Sequence, residues 1–394
     1  MKRKITLNDY IEINKMYFSG YLEILPDSYR NNFYPSSRFK LIIRVLRLFI
    51  RSSLLLFKYK PRLNINRKKI FFYESQNNLK ILKEFDTRKN NFFYVDTKNI
   101  QHDLYYKLKY FFPILKYLIS IKETHKFEII LRSAGFIEYA DTLFNKCPKI
   151  GNIILANDHN PIQRALVLRA KLFNIKSFYF QHAQVSKYFP PLIFDVAFLD
   201  GQHAVDTYSK IGNTSTTLEV IGKDYSINAK KNTNIQKLGI AINPVDNMVF
   251  IESLITYLNK NHDYISVILR PHPRMKNRII LKGKYNIHNP RKYDTLNFFN
   301  QIDYMIAGDS SIHIEAILYG LSSGYFHSNN SGFFDYYGFL KHNLIDGFSD
   351  PAELLGLIKN KSSGSIEFYI KNNSINKQNE ILKKYSLKKT NSKV

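Results

Sequence analysis

From residue 70 onward, short continuous apolar runs alternate with stretches in which apolar residues recur at helical spacing. The first runs are IFFY (70–73), FFYV (92–95), EIILR (128–132), NIILA (152–156), SFYFQ (177–181) and DVAFL (195–199). Unbroken apolar strands of this kind are buried on both faces, as in a parallel sheet. Between them lies PIQRALVLRAKLF (161–173), a helix that opens on Pro. Residues 223–237, KDYSINAKKNTNIQK, are polar and predict a linker. The alternation then restarts with LGIAIN (238–243) as a strand and MVFIESLITYLNK (248–260) as a helix. YISVILR (264–270) and DYMIAG (303–308) are strands, and SIHIEAILYG (311–320) is a helix closed by Gly320. This order predicts an α/β protein of two Rossmann-like domains facing a cleft, at 70–222 and 238–360. Residues 361–394 form a basic helix or tail, Lys-, Asn- and Ser-rich at its end and expected to be mobile there.

Residues 1–69 stand apart as an N-terminal amphipathic helical extension. No acidic residue occurs between Ser28 and Tyr73. Within that window LIIRVLRLFIRSSLLLF (41–57) has the apolar content of a membrane span, but it carries Arg44, Arg47 and Arg51. Each Arg costs a few kcal/mol at a bilayer centre. At about 100° per residue, Lys40, Arg44, Arg47, Arg51 and Lys58 fall in a stripe roughly 60° wide. A narrow cationic stripe on an otherwise apolar helix suits one lying in the headgroup plane of an anionic membrane.

Composition narrows the partners. The chain has 394 residues and 44% hydrophobic content, enough for packed cores, with 58 Lys and Arg against 32 Asp and Glu, a net charge of +26. That excess calls for an anionic partner: nucleic acid, an acidic membrane surface or a phosphorylated substrate. The sequence has no zinc-finger spacing, no RNP-like motif and no helix-turn-helix signature, so nucleic acid is not expected as a partner. A single cysteine, Cys147, excludes a disulfide framework and a Cys-based zinc site, and points to a reducing compartment. The first apolar stretches are too broken by Asn, Glu and Lys for a signal peptide, which leaves the cytoplasm as the expected location.

In open parallel sheets ligands sit beyond the carboxyl ends of the strands, and that rule selects the candidate site residues. YISVILR ends in RPHPR, where two prolines hold an extended turn and place His272 between Arg270 and Arg274, a set suited to phosphate. DYMIAG ends in GDSSIHIEA. There Gly308 permits close approach, and Asp309, Ser310 and Ser311 open a helix that also carries His313 and Glu315. A helix N-terminus with two hydroxyls is an anion site. In the first half, NIILA runs into NDHNP and SFYFQ into QHAQVSKYFPP, bringing Asp158, His159 and His182 to the same cleft. A carboxylate or imidazole there suits a general base acting on an acceptor hydroxyl, with Asp158 and His182 equally placed for the role. No P-loop, GxGxxG, HExxH, GxSxG or DxD-type carboxylate pair is present. What remains is group transfer without a metal or other cofactor.

RPHPR and GDSSIHIEA resemble the HP and Ser-Ser motifs of bacterial sialyltransferases, and equally the RPHP and DxSS motifs of CDP-glycerol polyol-phosphate transferases. FQHAQVSKYFPP is similar to the Gln/Trp-His-Gly turn of the latter and of capsule Kdo-transferase relatives, with Ala183 in place of the Gly. The Asp/Glu-Asp-Gly base motif of sialyltransferases has only partial matches, NDHN at 157–160 and LDG at 199–201. Over roughly residues 70–330 the chain thus resembles GT-B glycosyltransferases of bacterial capsule and lipopolysaccharide synthesis. The resemblance implies a nucleotide-activated sugar, with a CMP-sugar such as sialic acid or Kdo as donor and a surface glycan or glycolipid as acceptor. It implies that His272, Ser310 and Ser311 bind donor phosphate, that Arg270 or Arg274 offsets its charge, and that Glu315 meets ribose or base. It places the enzyme peripherally on the inner face of the bacterial cytoplasmic membrane. A CDP-glycerol-type polyol-phosphate transferase is the alternative enzyme, and a non-catalytic membrane or nucleic-acid binding protein the alternative of another class. Reversing Arg44, Arg47 and Arg51 to Glu is expected to abolish flotation with anionic liposomes; unchanged flotation would refute the membrane stripe.

Overall fold

The computed structural model describes residues 7–15, 43, 67–75, 78–79, 81, 84, 92–97, 127–212, 215–227, 235–273, 275, 279–327, 334–359 and 364–389. Lys40, Arg44, Arg47, Arg51, Lys58 and Arg274 lie outside the described residues, as does most of the 1–69 extension. Among the described residues no helix is long and apolar enough to cross a membrane.

Two six-stranded parallel sheets make up the described core. The first takes β1 (Lys69–Tyr73), β2 (Phe92–Asp96), β3 (Asn152–Leu155), β4 (Lys176–Phe180), β5 (Val196–Leu199) and β6 (Thr217–Val220), in the order β2-β1-β3-β4-β5-β6. The side-chain alternation of a strand divides each apolar run between the two faces. Ile70, Phe72, Ile153, Leu155, Tyr179, Ala197 and Leu199 pack to one side, beneath α2 (Phe127–Lys146) and α3 (Pro161–Leu172). Phe71, Ile154, Phe178, Phe180 and Phe198 pack to the other. There they meet Leu382 and Leu387, at and just beyond the end of a C-terminal helix that returns from the second domain. The end of the basic tail, expected to be mobile, is therefore partly docked: two leucines, with Ile381 and with Tyr385 edge-on to Phe178 and Phe198, cover the open face.

The second sheet takes β7 (Lys237–Ile242), β8 (Ser266–Pro271), β9 (Asn286–Ile287), β10 (Tyr304–Ala307), β11 (Ser322–Phe326) and β12 (Asp346–Phe348), in the order β12-β11-β10-β7-β8-β9. Gly239 in β7 is required for packing, since a Cβ there would lie 2.5 Å from Ile302 Cδ1 and 2.8 Å from Phe298 Cζ. In each sheet the chain reverses direction beside its first strand, between β1 and β3 and between β7 and β10. Those switch points open the crevices in which ligands of such sheets bind.

One expected strand is a helix. EIILR (128–132) lies in the first turns of α2, whose later residues Phe136, Ile137, Ala140, Leu143 and Phe144 are buried at helical spacing. A five-residue apolar run has no period of its own, and the pattern that follows it decides its state.

The N-terminal helix α1 (Leu7–Ile13) packs against α2 and α3. Ile13 is fully buried, Asn14 Nδ2 donates to Ser133 Oγ at 2.7 Å, and Arg164 of α3 pairs with Glu12 at 2.5 Å. Two strips of chain link the domains side by side. Gly222 and Lys223 run beside Lys371–Asn373, with Lys223 N donating to Lys371 O at 2.9 Å and Asn373 N to Lys223 O at 3.0 Å. At Gly222, with φ of +67°, a Cβ would stand 2.2 Å from Lys371 O.

Arg164 also donates to the carbonyls of Asp158 (3.0 Å), Pro191 (3.1 Å) and Glu12 (2.9 Å), with its side chain fully buried. Arg164→Met is expected to lower stability by roughly 3–5 kcal/mol, because it leaves those acceptors without a donor. Urea unfolding followed by circular dichroism checks this, and a loss below about 1 kcal/mol would contradict it.

Candidate active site

At the end of β3 the chain makes a tight turn built by side chains. Asn157 Oδ1 accepts the backbone N–H of His159 (3.1 Å) and of Asn160 (2.7 Å), and Asn160 caps α3 through Ile162 N at 3.2 Å. Asn160 also donates to Glu74 at the end of β1, tying the two strands of the switch point. Capping by Asn160 leaves Asp158 for other work. Its carboxylate is fully buried, accepts the Tyr208 hydroxyl at 2.6 Å from α4 (Gln202–Ile211), and lies 3.0 Å from His159 Nδ1. Burial pushes this carboxyl up, but His159, Tyr208 and His182 together hold it below its ordinary value. A buried anion beside Nδ1 fixes that nitrogen as the N–H donor and leaves Nε2 with the lone pair. The His159 side chain is 27% exposed, so the ring reaches the open side of the turn.

His182 follows β4 and differs in kind. Its ring hydrogen-bonds the Ala156 carbonyl, its Nδ1 has no partner, and burial, then the nearby His159, lower its pKa to about 4. It is a neutral group and a weak base. Ala183 is not among the residues with positive φ, so the substitution of Gly there leaves an ordinary backbone. Gln181 Oε1 accepts Asp200 N at 2.9 Å and its amide donates to Ala183 O at 2.9 Å, which joins the ends of β4 and β5.

On the second sheet, α7 (Ile312–Tyr319) begins at the β7–β10 switch point; the intervening helices are α5 (Met248–Asn261) and α6 (Thr295–Asn300). Gly308 is needed there, since a Cβ would lie 2.6 Å from Asp246 Oδ1. Asp309 is held by Tyr325 Oη at 2.9 Å and by the backbone N–H of Tyr336 at 2.6 Å, while Asn243 Nδ2 donates to its carbonyl at 3.0 Å. Ser310 Oγ accepts Ile312 N at 3.4 Å, and Ser311 occupies the N-cap with no capping hydrogen bond from its hydroxyl. The Ser311 hydroxyl is thus not spent on closing the helix. His272 backbone N donates to Ile242 O at 2.8 Å, which sets the turn after β8 against the end of β7.

Three expected donor contacts are placed differently. Arg270 is 7% exposed, with Nη1 2.7 Å from His288 Nδ1 and its guanidinium over the Phe298 ring at 5.6 Å. These contacts hold the side chain in the packing beneath β8. His313 is fully buried; Nε2 lies 3.0 Å from Gly308 O and Nδ1 2.6 Å from Ser323 Oγ, and burial lowers its pKa to about 4. It braces the Gly308 turn from behind. Asp309 is engaged on both oxygens and acts as a staple. Glu315 is exposed; burial lowers the Arg270 pKa and the charge of Glu315 partly opposes that shift, and the same charge also reaches Lys223.

The two halves of the site meet through aromatic rings. Phe189 lies 4.9 Å from the His159 ring and 6.3 Å from Tyr336, and Tyr336 stacks on Tyr188 at 5.5 Å with 15° between the planes. The structure therefore brings together Asp158, His159, the 181–191 segment and the 308–311 turn. Sequence reasoning missed Arg164, Tyr208, Asp246 and Tyr336.

No family model matches the sequence, and no curated protein matches it. Among solved structures the chain is similar to S. aureus MnaA in its UDP co-structure, at 12% identity and a TM-score of 0.53, over 81% of this chain and 97% of that one. The chain has the GT-B fold. It is also similar to a putative UDP-N-acetylglucosamine 2-epimerase from Listeria monocytogenes, at 12% identity and a TM-score of 0.48, over 80% and 95% of the two chains. For the glycotransferase of kitacinnamycin the figures are 10%, 0.47, 75% and 90%.

Asp246 yields a pH prediction. Burial, reinforced by Asp309, raises its carboxyl to about 7. A raised carboxyl pKa means the folded chain holds a proton that the unfolded chain releases, so this contribution is complete below about pH 4 and lost as pH rises through 7. In Asp246→Asn the loss, at most about 4 kcal/mol, is expected to vanish. Urea unfolding at pH 5 and pH 8 compares the two proteins; an unchanged stability difference would contradict the assignment.

Proposed function

We propose that the chain is a metal-independent glycosyltransferase that moves a sugar from a nucleotide-activated donor to a hydroxyl of a surface glycan. One observation carries this reading: the buried Asp158 lies 3.0 Å from His159 Nδ1, which leaves Nε2 with the lone pair, and Phe189 and Tyr336 connect that ring to the N-terminus of α7. His159 Nε2 takes the proton of the acceptor hydroxyl as its oxygen bonds the anomeric carbon. The bond from that carbon to the phosphate oxygen breaks, and the nucleotide leaves with the electron pair. The Ser310 and Ser311 hydroxyls, the α7 dipole and His272 meet the charge gathering on that phosphate. Asp158 keeps the imidazole in the productive tautomer and opposes its positive charge once protonated. His182, neutral and half-buried, supports the turn instead of serving as base.

The donor on this reading is a CMP-sugar, such as sialic acid or Kdo, as the motifs at 270–274 and 308–316 imply. MnaA was solved with UDP, so a uridine nucleotide is the direct competitor. The Arg stripe at 40–58 would hold the enzyme at the inner face of the membrane, where a glycolipid acceptor is presented.

A thermal-shift panel of CMP, CDP, UDP and GDP tests the donor, because a ligand of the native state raises its melting temperature. The largest shift is expected with CMP; a shift with UDP alone overturns the cytidine assignment. His159→Ala is expected to lower kcat by about 10²–10⁴ while the nucleotide-induced shift persists. The double variant Ser310→Ala, Ser311→Ala is expected to lose most of that shift. Full transfer activity in His159→Ala would overturn the base assignment.

A further inference from the structure

Near the candidate active site lies a cavity of about 460 Å³ between α4 and the 185–187 segment of the first domain and the 334–342 loop of the second. Three of its lining residues are the exposed lysines Lys187, Lys210 and Lys341, and among the described residues none of them forms an ion pair. The acids of the lining do not answer them. Asp335 accepts the backbone N–H groups of Leu340 (3.0 Å) and Lys341 (2.9 Å), and Asp206 accepts Gln202 Nε2 at 2.7 Å. Between the lysines the wall is aromatic, with Tyr336 and Phe368 facing the cavity.

At its floor sits His203, 5% exposed, with Nδ1 lacking any hydrogen-bond partner. Leaving a buried polar atom unsatisfied costs about 1–3 kcal/mol, so such an atom in a pocket wall calls for a ligand group. Burial, and then His342, keep this imidazole neutral by lowering its pKa to about 4, which leaves it fit to exchange hydrogen bonds with hydroxyls. Aromatic contacts also link the pocket to the candidate active site. Tyr336 forms part of its wall, stacks on Tyr188, and touches Phe189, which packs on His159.

We propose that this pocket binds an anionic oligosaccharide, the acceptor chain whose growing end reaches His159. The lysines attract the carboxylates or phosphates of the chain, the aromatic faces meet the C–H edges of its sugar rings, and His203 takes a sugar hydroxyl. The proposal rests on the transferase reading for the role of the ligand as acceptor, but the binding itself does not.

Isothermal titration calorimetry of the full chain with tetragalacturonate, with a phosphodiester-linked glycerol tetramer and with neutral maltotetraose tests it. At least one anionic probe is expected to bind at least about tenfold more tightly than maltotetraose, and the tighter of the two identifies carboxylate or phosphate as the charge read. Lys210→Glu with Lys341→Glu reverses two charges without touching the catalytic residues. It is expected to weaken the anionic probe at least about tenfold and to leave the CMP- or UDP-induced thermal shift unchanged. Binding of the anionic probes that survives the double reversal, absence of such binding in the native chain, or equally tight binding of maltotetraose overturns the proposal. If the lysine-dependent binding is found and no nucleotide shifts the melting temperature, the donor site is wrong and the oligosaccharide pocket stands.

Discussion

The Arg164 guanidinium is the contact on which the arrangement of the first domain depends. It carries a charge into a fully buried position, where an unpaired cation is costly, and it is matched there by an ion pair and three carbonyls. Its partners come from three separate segments: the turn after β3, the loop ending at Pro191, and the N-terminal helix through Glu12. The Asp158–His159 turn therefore owes its position to an Arg behind it that faces away from the cleft. The N-terminal helix, distant from the cleft in sequence, becomes part of the support for the candidate base.

A common electrostatic pattern surrounds the cleft. Groups that burial can neutralise, His182, His313 and Asp246, are pushed toward their uncharged forms. Asp158 is the exception, held ionised by His159 and Tyr208. A fixed anion beside Nδ1 gives the His159 ring a single preferred orientation, and a neutral His313 adds no positive charge at the open end of α7. The ion pair of Lys223 with Asp200, at 3.0 Å, sits at the crossover and not in the reacting space.

The strands were legible because burial on both faces writes an unbroken apolar run, and β3, β5 and β10 follow it closely. EIILR was not legible in isolation, since the helical spacing that claims it begins only after Ser133. Arg270 shows a subtler limit. A strand-end arginine beside His-Pro reads as a phosphate ligand, yet side chains alternate along β8, and Arg270 shares its face with Ile268, which packs in the same cluster as Phe298. That parity was present in the sequence; the partner ring was not. Asp158 and His159 were found by their place after a strand, but their division of labour needed Tyr208, fifty positions away, to become visible. The basic aromatic pocket was hidden for the same reason, its lysines coming from two domains.

The paired strips at Gly222–Lys223 and Lys371–Asn373 carry a mechanical consequence. Two independent tethers would let the domains twist and slide as well as open. Here each strip is laced to the other by backbone hydrogen bonds, and the missing side chain at Gly222 lets them lie almost in contact. Torsion between the domains has to break this lacing, whereas hinging about it does not.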